Sequence, residues 1–94
     1  MRVVWTAPAA RDLEAIGDYI ARHNPVAAHR TVQRIRARIG ALVAHPYIGR
    51  PGRVASTREP VVTSLPFIVA YRVVTDRVEI LAVFHGARIW PGTF

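Results

Sequence analysis

Phe67-Ile68-Val69-Ala70-Tyr71-Arg72-Val73-Val74-Thr75-Asp76-Arg77-Val78-Glu79-Ile80-Leu81-Ala82-Val83-Phe84 reads as a β-hairpin, and it places the rest of the chain. Both arms are rich in Val, Ile, Tyr and Phe, which suit a pleated, half-buried surface, and Thr75-Asp76 separates them as a two-residue loop. With that loop Arg72 stands opposite Glu79, and opposite charges at paired positions favour the alignment. The pairing sorts the side chains. One face carries Val62, Phe67, Val69, Tyr71, Val73, Val78, Ile80, Ala82 and Phe84, almost wholly apolar. The other carries Glu59, Val61, Ile68, Ala70, Arg72, Glu79, Leu81, Val83 and His85. Upstream, Val61-Val62-Thr63 adds a strand to an antiparallel meander, set off by Leu65-Pro66.

Towards the N-terminus, Arg2 to Trp5 reads as a short strand entering a helix with Pro8 in its first turn. That helix carries Ala9, Leu13, Ile16 and Ile20 at spacings of four, three and four, so they share one face, with Arg11, Glu14, Asp18 and Arg22 largely away from it. His23-Asn24-Pro25 ends it, and Asn24 is placed to cap a second helix that has Pro25 at its first position. The second helix repeats the apolar pattern with Ala28, Val32, Ile35, Ile39 and Leu42 and is expected to run to His45-Pro46. The fold class is therefore α+β: an N-terminal strand, a helical hairpin, then a three- to four-stranded antiparallel meander, all in one domain over residues 1–94. Both helices are needed to cover the apolar face of the sheet. The opposite face is then left with Ile68, Leu81 and Val83 as a patch rimmed by charge, which suits a partner.

The chain has 13 basic residues, every one of them Arg, against 6 acidic ones, for a net charge of +7, so it should attract nucleic acid or an acidic protein. A GC-rich genome favouring Arg codons accounts for the Arg bias as simply as function does. With no cysteine, a thiol nucleophile, a thiolate metal site and a disulfide framework are excluded. No metal-ligand spacing or phosphate loop is visible, and no cofactor is expected. The N-terminus lacks a secretory apolar stretch, and no window approaches the roughly 18 apolar residues of a membrane span, so a cytoplasmic protein is expected. On the outer side of the second helix Arg30, Arg34 and Arg38 recur every four residues, which costs an isolated helix about 0.2–0.5 kcal/mol per like-charged pair. Asp12, Glu14 and Asp18 on the first helix are the nearest candidates to relieve them; an acidic partner chain is the other.

The ordered set Trp5-Thr6, Pro8-Ala9, Asp12-Leu13, Ile16, Tyr19-Ile20, Asn24-Pro25, Ala27-Ala28, Leu42, Pro46, Gly49-Arg50-Pro51-Gly52-Arg53, Thr57-Arg58-Glu59, Pro66, Tyr71-Arg72, Glu79-Ile80-Leu81, His85-Gly86-Ala87-Arg88 and Trp90-Pro91 resembles the RelE/ParE toxin superfamily over nearly the whole chain. The resemblance implies a helical hairpin on a curved antiparallel sheet and a co-expressed antitoxin that holds the toxin inactive. In the ParE branch the target is DNA gyrase, engaged as a GyrA–DNA complex and poisoned so that broken DNA accumulates. In the RelE-like branches it is messenger RNA cut in the ribosomal A site. The ribonuclease branches place basic, acidic, His or Tyr side chains on the open sheet face, because cleavage by a 2′-hydroxyl needs a base, an acid and cationic stabilisation. Here Phe67-Ile68 stands where a basic residue is common, and the chain ends Trp90-Pro91-Gly92-Thr93-Phe94 without a terminal Tyr. Thr57-Arg58-Glu59 and His85-Gly86-Ala87-Arg88 look more like ParE, although Ser56 and Pro60 depart from the pattern.

The resemblance makes a ParE-like, non-enzymatic gyrase poison with an acidic ParD-like antitoxin the first expectation. Arg58 and Arg88, which have no evident partner in the sequence, are the leading target contacts, followed by Arg50 and Arg53 in the Gly- and Pro-rich loop. Ile68, Leu81 and Val83 with Arg30, Arg34 and Arg38 are the expected antitoxin surface. An RNA-cleaving site, the alternative, reduces to Glu59, Arg72 and His85, which share a face in the register above. A basic nucleic-acid-binding module without toxicity is a further alternative, though no helix-turn-helix or aromatic RNA-binding signature accompanies it. His85 also serves as a hydrogen-bonding anchor for the tail, Arg72 as the partner of Glu79, and Trp5 and Tyr71 as core; His23, His29 and His45 read as surface or cap residues.

Overall fold

The computed structural model describes residues 1–47, 50–51, 57–59 and 66–86, with only the backbone of Arg50 and Glu59. Strand β1 (Arg2–Trp5) leads into helices α1 (Ala7–Ala21) and α2 (Pro25–Ala41), followed by β2 (Arg50–Pro51), β3 (Arg58–Glu59), β4 (Phe67–Val74) and β5 (Arg77–His85). The sheet order is β1-β5-β4-β3-β2. Strands β2 to β5 form an antiparallel meander, of which β4 and β5 are the expected hairpin, while β2 falls in the Gly- and Pro-rich stretch expected as loop and β3 at Arg58–Glu59 was not expected as a strand. Strand β1 lies parallel to β5, pairing Val3 with Val78 and Trp5 with Ile80. The strand read at Val61-Val62-Thr63 lies outside the described residues.

Both helices begin as their sequences dictate. Asn24 caps α2, its side chain accepting from the Ala27 N–H at 3.0 Å, with Pro25 following where no N–H is needed. Thr6 caps α1 and also donates its hydroxyl to the Ile80 carbonyl at 2.7 Å, so one residue starts the helix and fixes it to β5. Helix α2 ends at Ala41 instead of running to His45-Pro46: beside Gly40 the chain tightens, with Leu42 N–H bonding the Ile39 carbonyl and Val43 N–H that of Gly40. The hairpin packs closely at Gly17, where a Cβ would come within 3.3 Å of Val32 Cγ2.

Hairpin β4–β5 keeps the expected register at its turn end, with Val74 opposite Arg77 and Arg72 opposite Glu79. Thr75 in the turn takes φ 37°, a left-handed backbone that costs a β-branched residue about 1–2 kcal/mol. Beyond Tyr71 and Ile80 the register shifts: Ala70 faces Ala82 and Val69 faces Val83, so Leu81 is the extra residue of a β-bulge. Everything after Leu81 is therefore turned over. Val83, expected on the open face, is 1% exposed in the core with Leu13, Ile35, Ile39, Val69, Tyr71 and Ile80. Ala82 and Phe84, expected under the helices, instead pack with Ala70 and Ile68 in a second cluster. A strict two-residue alternation cannot foresee this, because Ile80 to Phe84 is apolar at every position and contains no polar residue to mark the change of face.

The bulge is held from outside the sheet. Strand β1 ends at Trp5, and past Ile80 the outer edge of β5 is met by α1: Asp12 Oδ2 accepts from the Val83 N–H at 3.0 Å. A carboxylate one turn and a half into α1 thus replaces the missing strand neighbour.

Candidate partner-binding and target-binding surfaces

On α1, Asp12, Ala15, Ile16, Tyr19 and Ile20 follow one another at helical spacing and form one wall of a groove of about 580 Å³. Its other wall is Phe67 of β4 with Val83, Phe84 and His85 of β5. The spacing puts Ile16 and Ile20 on the apolar face of α1; Ile16 does pack against the core, yet both side chains remain half-exposed here, and Tyr19 is 65% exposed. The rims are aromatic. Tyr19 meets His23 edge-on at 6.4 Å, and Phe67 meets His85 edge-on at 5.7 Å. A continuous apolar cleft with an aromatic, weakly polar rim is the form of a peptide-binding groove.

The open face of the sheet does not offer the patch expected of it. Leu81 is 8% exposed and Val83 1%, both already buried by this chain, so of the three residues only Ile68 keeps part of its side chain accessible. The bulge is the physical reason for Val83.

Arg72 and His85 do not converge. His85 pairs with Phe67 and lines the α1 groove, whereas Arg72 lies in the alternate position of β4 beside the core residue Tyr71, on the other side of the sheet. The Glu59 side chain lies outside the described residues. Arg72 is also engaged: its Nε donates to Glu79 Oε1 at 2.5 Å, and Arg77 Nε donates to Glu79 Oε2 at 3.1 Å. Hydrogen bonds from Arg72 first, and then from Arg77, hold the Glu79 carboxyl below the usual carboxylate range. A group whose pKa is lowered by folding contributes stability above its unfolded value and loses it as pH falls through the lowered one. Glu79→Gln should therefore flatten the acid limb of a plot of stability against pH, making the variant less stable than wild type at neutral and alkaline pH and converging on wild type at the acid end, as read by urea unfolding across pH 2–9.

Arg58 has partners that its sequence did not reveal. Its guanidinium lies 5.0 Å from the Tyr47 ring centre and its Nη1 donates to the Tyr47 carbonyl at 3.4 Å. The Tyr71 hydroxyl donates to the neighbouring Pro46 carbonyl at 2.9 Å, so the segment leaving α2 is tied to β3 and β4 together. Among the described residues no carboxylate pairs with Arg30, Arg34 or Arg38. Asp12 serves Val83, while Glu14 and Asp18 line a separate cleft with Trp5, Gly17 and Arg36, whose guanidinium lies 5.9 Å from the Trp5 ring centre. Trp5 is thus half-buried, with its outer side lidded by an arginine. Arg53, Arg88 and the Arg50 side chain lie outside the described residues. Among those described, no group of three His, Asp or Glu side chains could hold a metal ion, and no helix is long and apolar enough to cross a membrane.

Sequence reasoning missed the groove and the role of Asp12. The exposed Tyr19 beside Ile16 and Ile20 was a usable signal for the first, since it widens the apolar arc of α1 beyond what one sheet face covers. Nothing local signalled the second, because the carboxylate and its amide are 71 residues apart.

A parallel β1, a helical hairpin and a four-stranded meander define the RelE/ParE toxin class. Residues 3–90 match the family model described as ParE toxin of type II toxin-antitoxin system, parDE. A chain of the chromosomal ParDE toxin–antitoxin system from P. aeruginosa superposes with a TM-score of 0.81 at 33% identity, over 90% of this chain and 95% of that one. The Sinorhizobium fredii protein named "Putative toxin Y4kP" is 48% identical over 90 residues, 96% of this chain and 93% of its own length. Toxin RelE2 of Caulobacter vibrioides is 39% identical over 88 residues, covering 94% and 98%. The Mycobacterium tuberculosis toxin–antitoxin complex RelBE2 shares the fold, with a TM-score of 0.64 at 24% identity. The chain belongs to the ParE toxin family of type II toxin–antitoxin systems.

Proposed function

We propose that this ParE-family toxin acts on DNA gyrase by binding, not by catalysis, and is neutralised by an acidic ParD-like antitoxin in the bacterial cytoplasm. The observation that supports a binding mechanism is the separation of Arg72 from His85 by the thickness of the sheet, together with the engagement of Arg72 by Glu79. General acid–base cleavage of RNA needs its proton donor, proton acceptor and cation around one phosphate, and this arrangement does not bring them together. The P. aeruginosa relative comes from a ParDE system, and the family model is that of ParE, so the same class of target is the natural reading for this chain.

The antitoxin seats apolar side chains in the groove of Ile16, Tyr19, Ile20 and Phe67, drawn to a toxin of net charge +7. Target contact falls to the arginines expected for it, Arg50, Arg53, Arg58 and Arg88, with Arg58 contributing also by fixing the Pro46-Tyr47 segment.

His85→Ala tests the mechanism. A ribonuclease relying on His85 would lose activity by roughly 10²–10⁴. Under the binding mechanism, growth inhibition by the variant stays within about threefold of wild type, measured by induction of the toxin alone in cells. A loss of a hundredfold or more in a folded variant would contradict that mechanism.

A further inference from the structure

Arg30, Arg34 and Arg38 form a row along one side of α2, each step advancing about 6 Å along the helix axis at 1.5 Å per residue. Arg30 and Arg34 are exposed and Arg38 half-exposed. Like charges four residues apart repel one another, and among the described residues no acid is paired with them. Most of the residues flanking the row are small, Ala27, Thr31, Ala37 and Ala41, with Val26 and Gln33 beside its first arginine. Near its start the surface is concave, a hollow of about 360 Å³ shared by Asn24, Val26, Ala27, Arg30, Thr31 and Arg34.

This composition separates two kinds of partner. A protein interface draws its affinity from large anchors, aromatic or aliphatic, seated in pockets, and the row offers only the single exposed Val26 at its start. The apolar groove, which shares no residue with the hollow, has several. A phosphodiester backbone needs evenly spaced cations, small neighbours that let it approach, and no apolar anchor, because its binding comes from neutralising phosphates and releasing their counterions. Arginine, which forks onto phosphate oxygens, suits that use.

We propose that the Arg30–Arg34–Arg38 side of α2 is a nucleic-acid-binding surface that follows a phosphodiester backbone without reading its sequence, distinct from the groove assigned to the antitoxin. Each arginine neutralises one phosphate. The toxin is thereby held on nucleic acid while its groove remains accessible.

The test is fluorescence anisotropy of the purified chain with a labelled 20-base-pair duplex of arbitrary sequence, over a salt series. The slope of log K against log salt changes by about 0.9 for each phosphate contact. R30A/R34A/R38A should lower its magnitude by about 2.7 and weaken low-salt binding at least tenfold, whereas R30K/R34K/R38K should keep most of the slope. R2A/R11A/R22A removes the same charge from exposed positions and should change the slope by less than about 1. Circular dichroism checks that each variant is folded. Equal losses in the two alanine triples would mean diffuse attraction only and would overturn the proposal. It would also be overturned if polyglutamate bound wild type more tightly than the duplex and R30A/R34A/R38A abolished that binding, which would assign the surface to an acidic protein.

Discussion

Tyr19→Ala combined with Ile20→Glu should raise the dissociation constant for the cognate antitoxin by about 30- to 1,000-fold, a loss of about 2–4 kcal/mol, while leaving the chain folded and toxic. Tyr19 is mostly exposed and Ile20 half-exposed, so neither substitution removes a closed core contact. In the complex, Tyr19 is an aromatic anchor at the rim and Ile20 lies in the wall of the groove, where a glutamate would be a buried, unpaired charge. The two-sided readout matters. Cells making both proteins should stop growing when the toxin carries the pair of changes, and cells making wild-type toxin with the same antitoxin should not. A variant that is rescued normally would show that the antitoxin lies elsewhere; one that is no longer toxic would point to a folding defect, which thermal unfolding would register.

Asp12→Ala should lower the unfolding free energy by about 2 kcal/mol and the melting temperature by roughly 8–16 °C. The carboxylate accepts the Val83 N–H at the edge of β5 where no strand follows β1, and alanine leaves that amide without its partner. Asp12→Asn retains an oxygen acceptor and should lose about half as much. The consequence extends to recognition, since Val83 and His85 form one wall of the groove and their orientation depends on the bulge that Asp12 secures. A loss below about 0.5 kcal/mol for the alanine variant would mean that the bulge holds its geometry unaided.

What the sequence made legible was whatever rests on local chemistry or on a marked alternation. Asn24-Pro25 is both a stop and a start, and the structure caps α2 with it. Arg72 and Glu79 lie on the hairpin as complementary charges, and their pairing fixed the register where charge was present to mark it. Past Tyr71 that marking ends. Five successive apolar residues from Ile80 to Phe84 fit either face equally well, so the extra residue at Leu81 left no trace, and the reading of Val83 and His85 inverted with it. The RNA-cleaving triplet was a product of that inversion. The groove escaped for a related reason: helical periodicity tells which residues share a side of α1, but not how far along α1 the sheet continues to cover them. The parallel place of β1 and the bond from Asp12 to Val83 join segments more than 70 residues apart, beyond what local pattern conveys.

Incubating the purified toxin with DNA gyrase and supercoiled plasmid, then trapping cleaved DNA with detergent and protease, tests the central claim most directly. The account predicts linear plasmid that appears only when gyrase is present, increases with toxin concentration, persists with His85→Ala and disappears when antitoxin is added first. Cleavage of messenger RNA on ribosomes by the same preparation, with no effect of the toxin on gyrase, would contradict it.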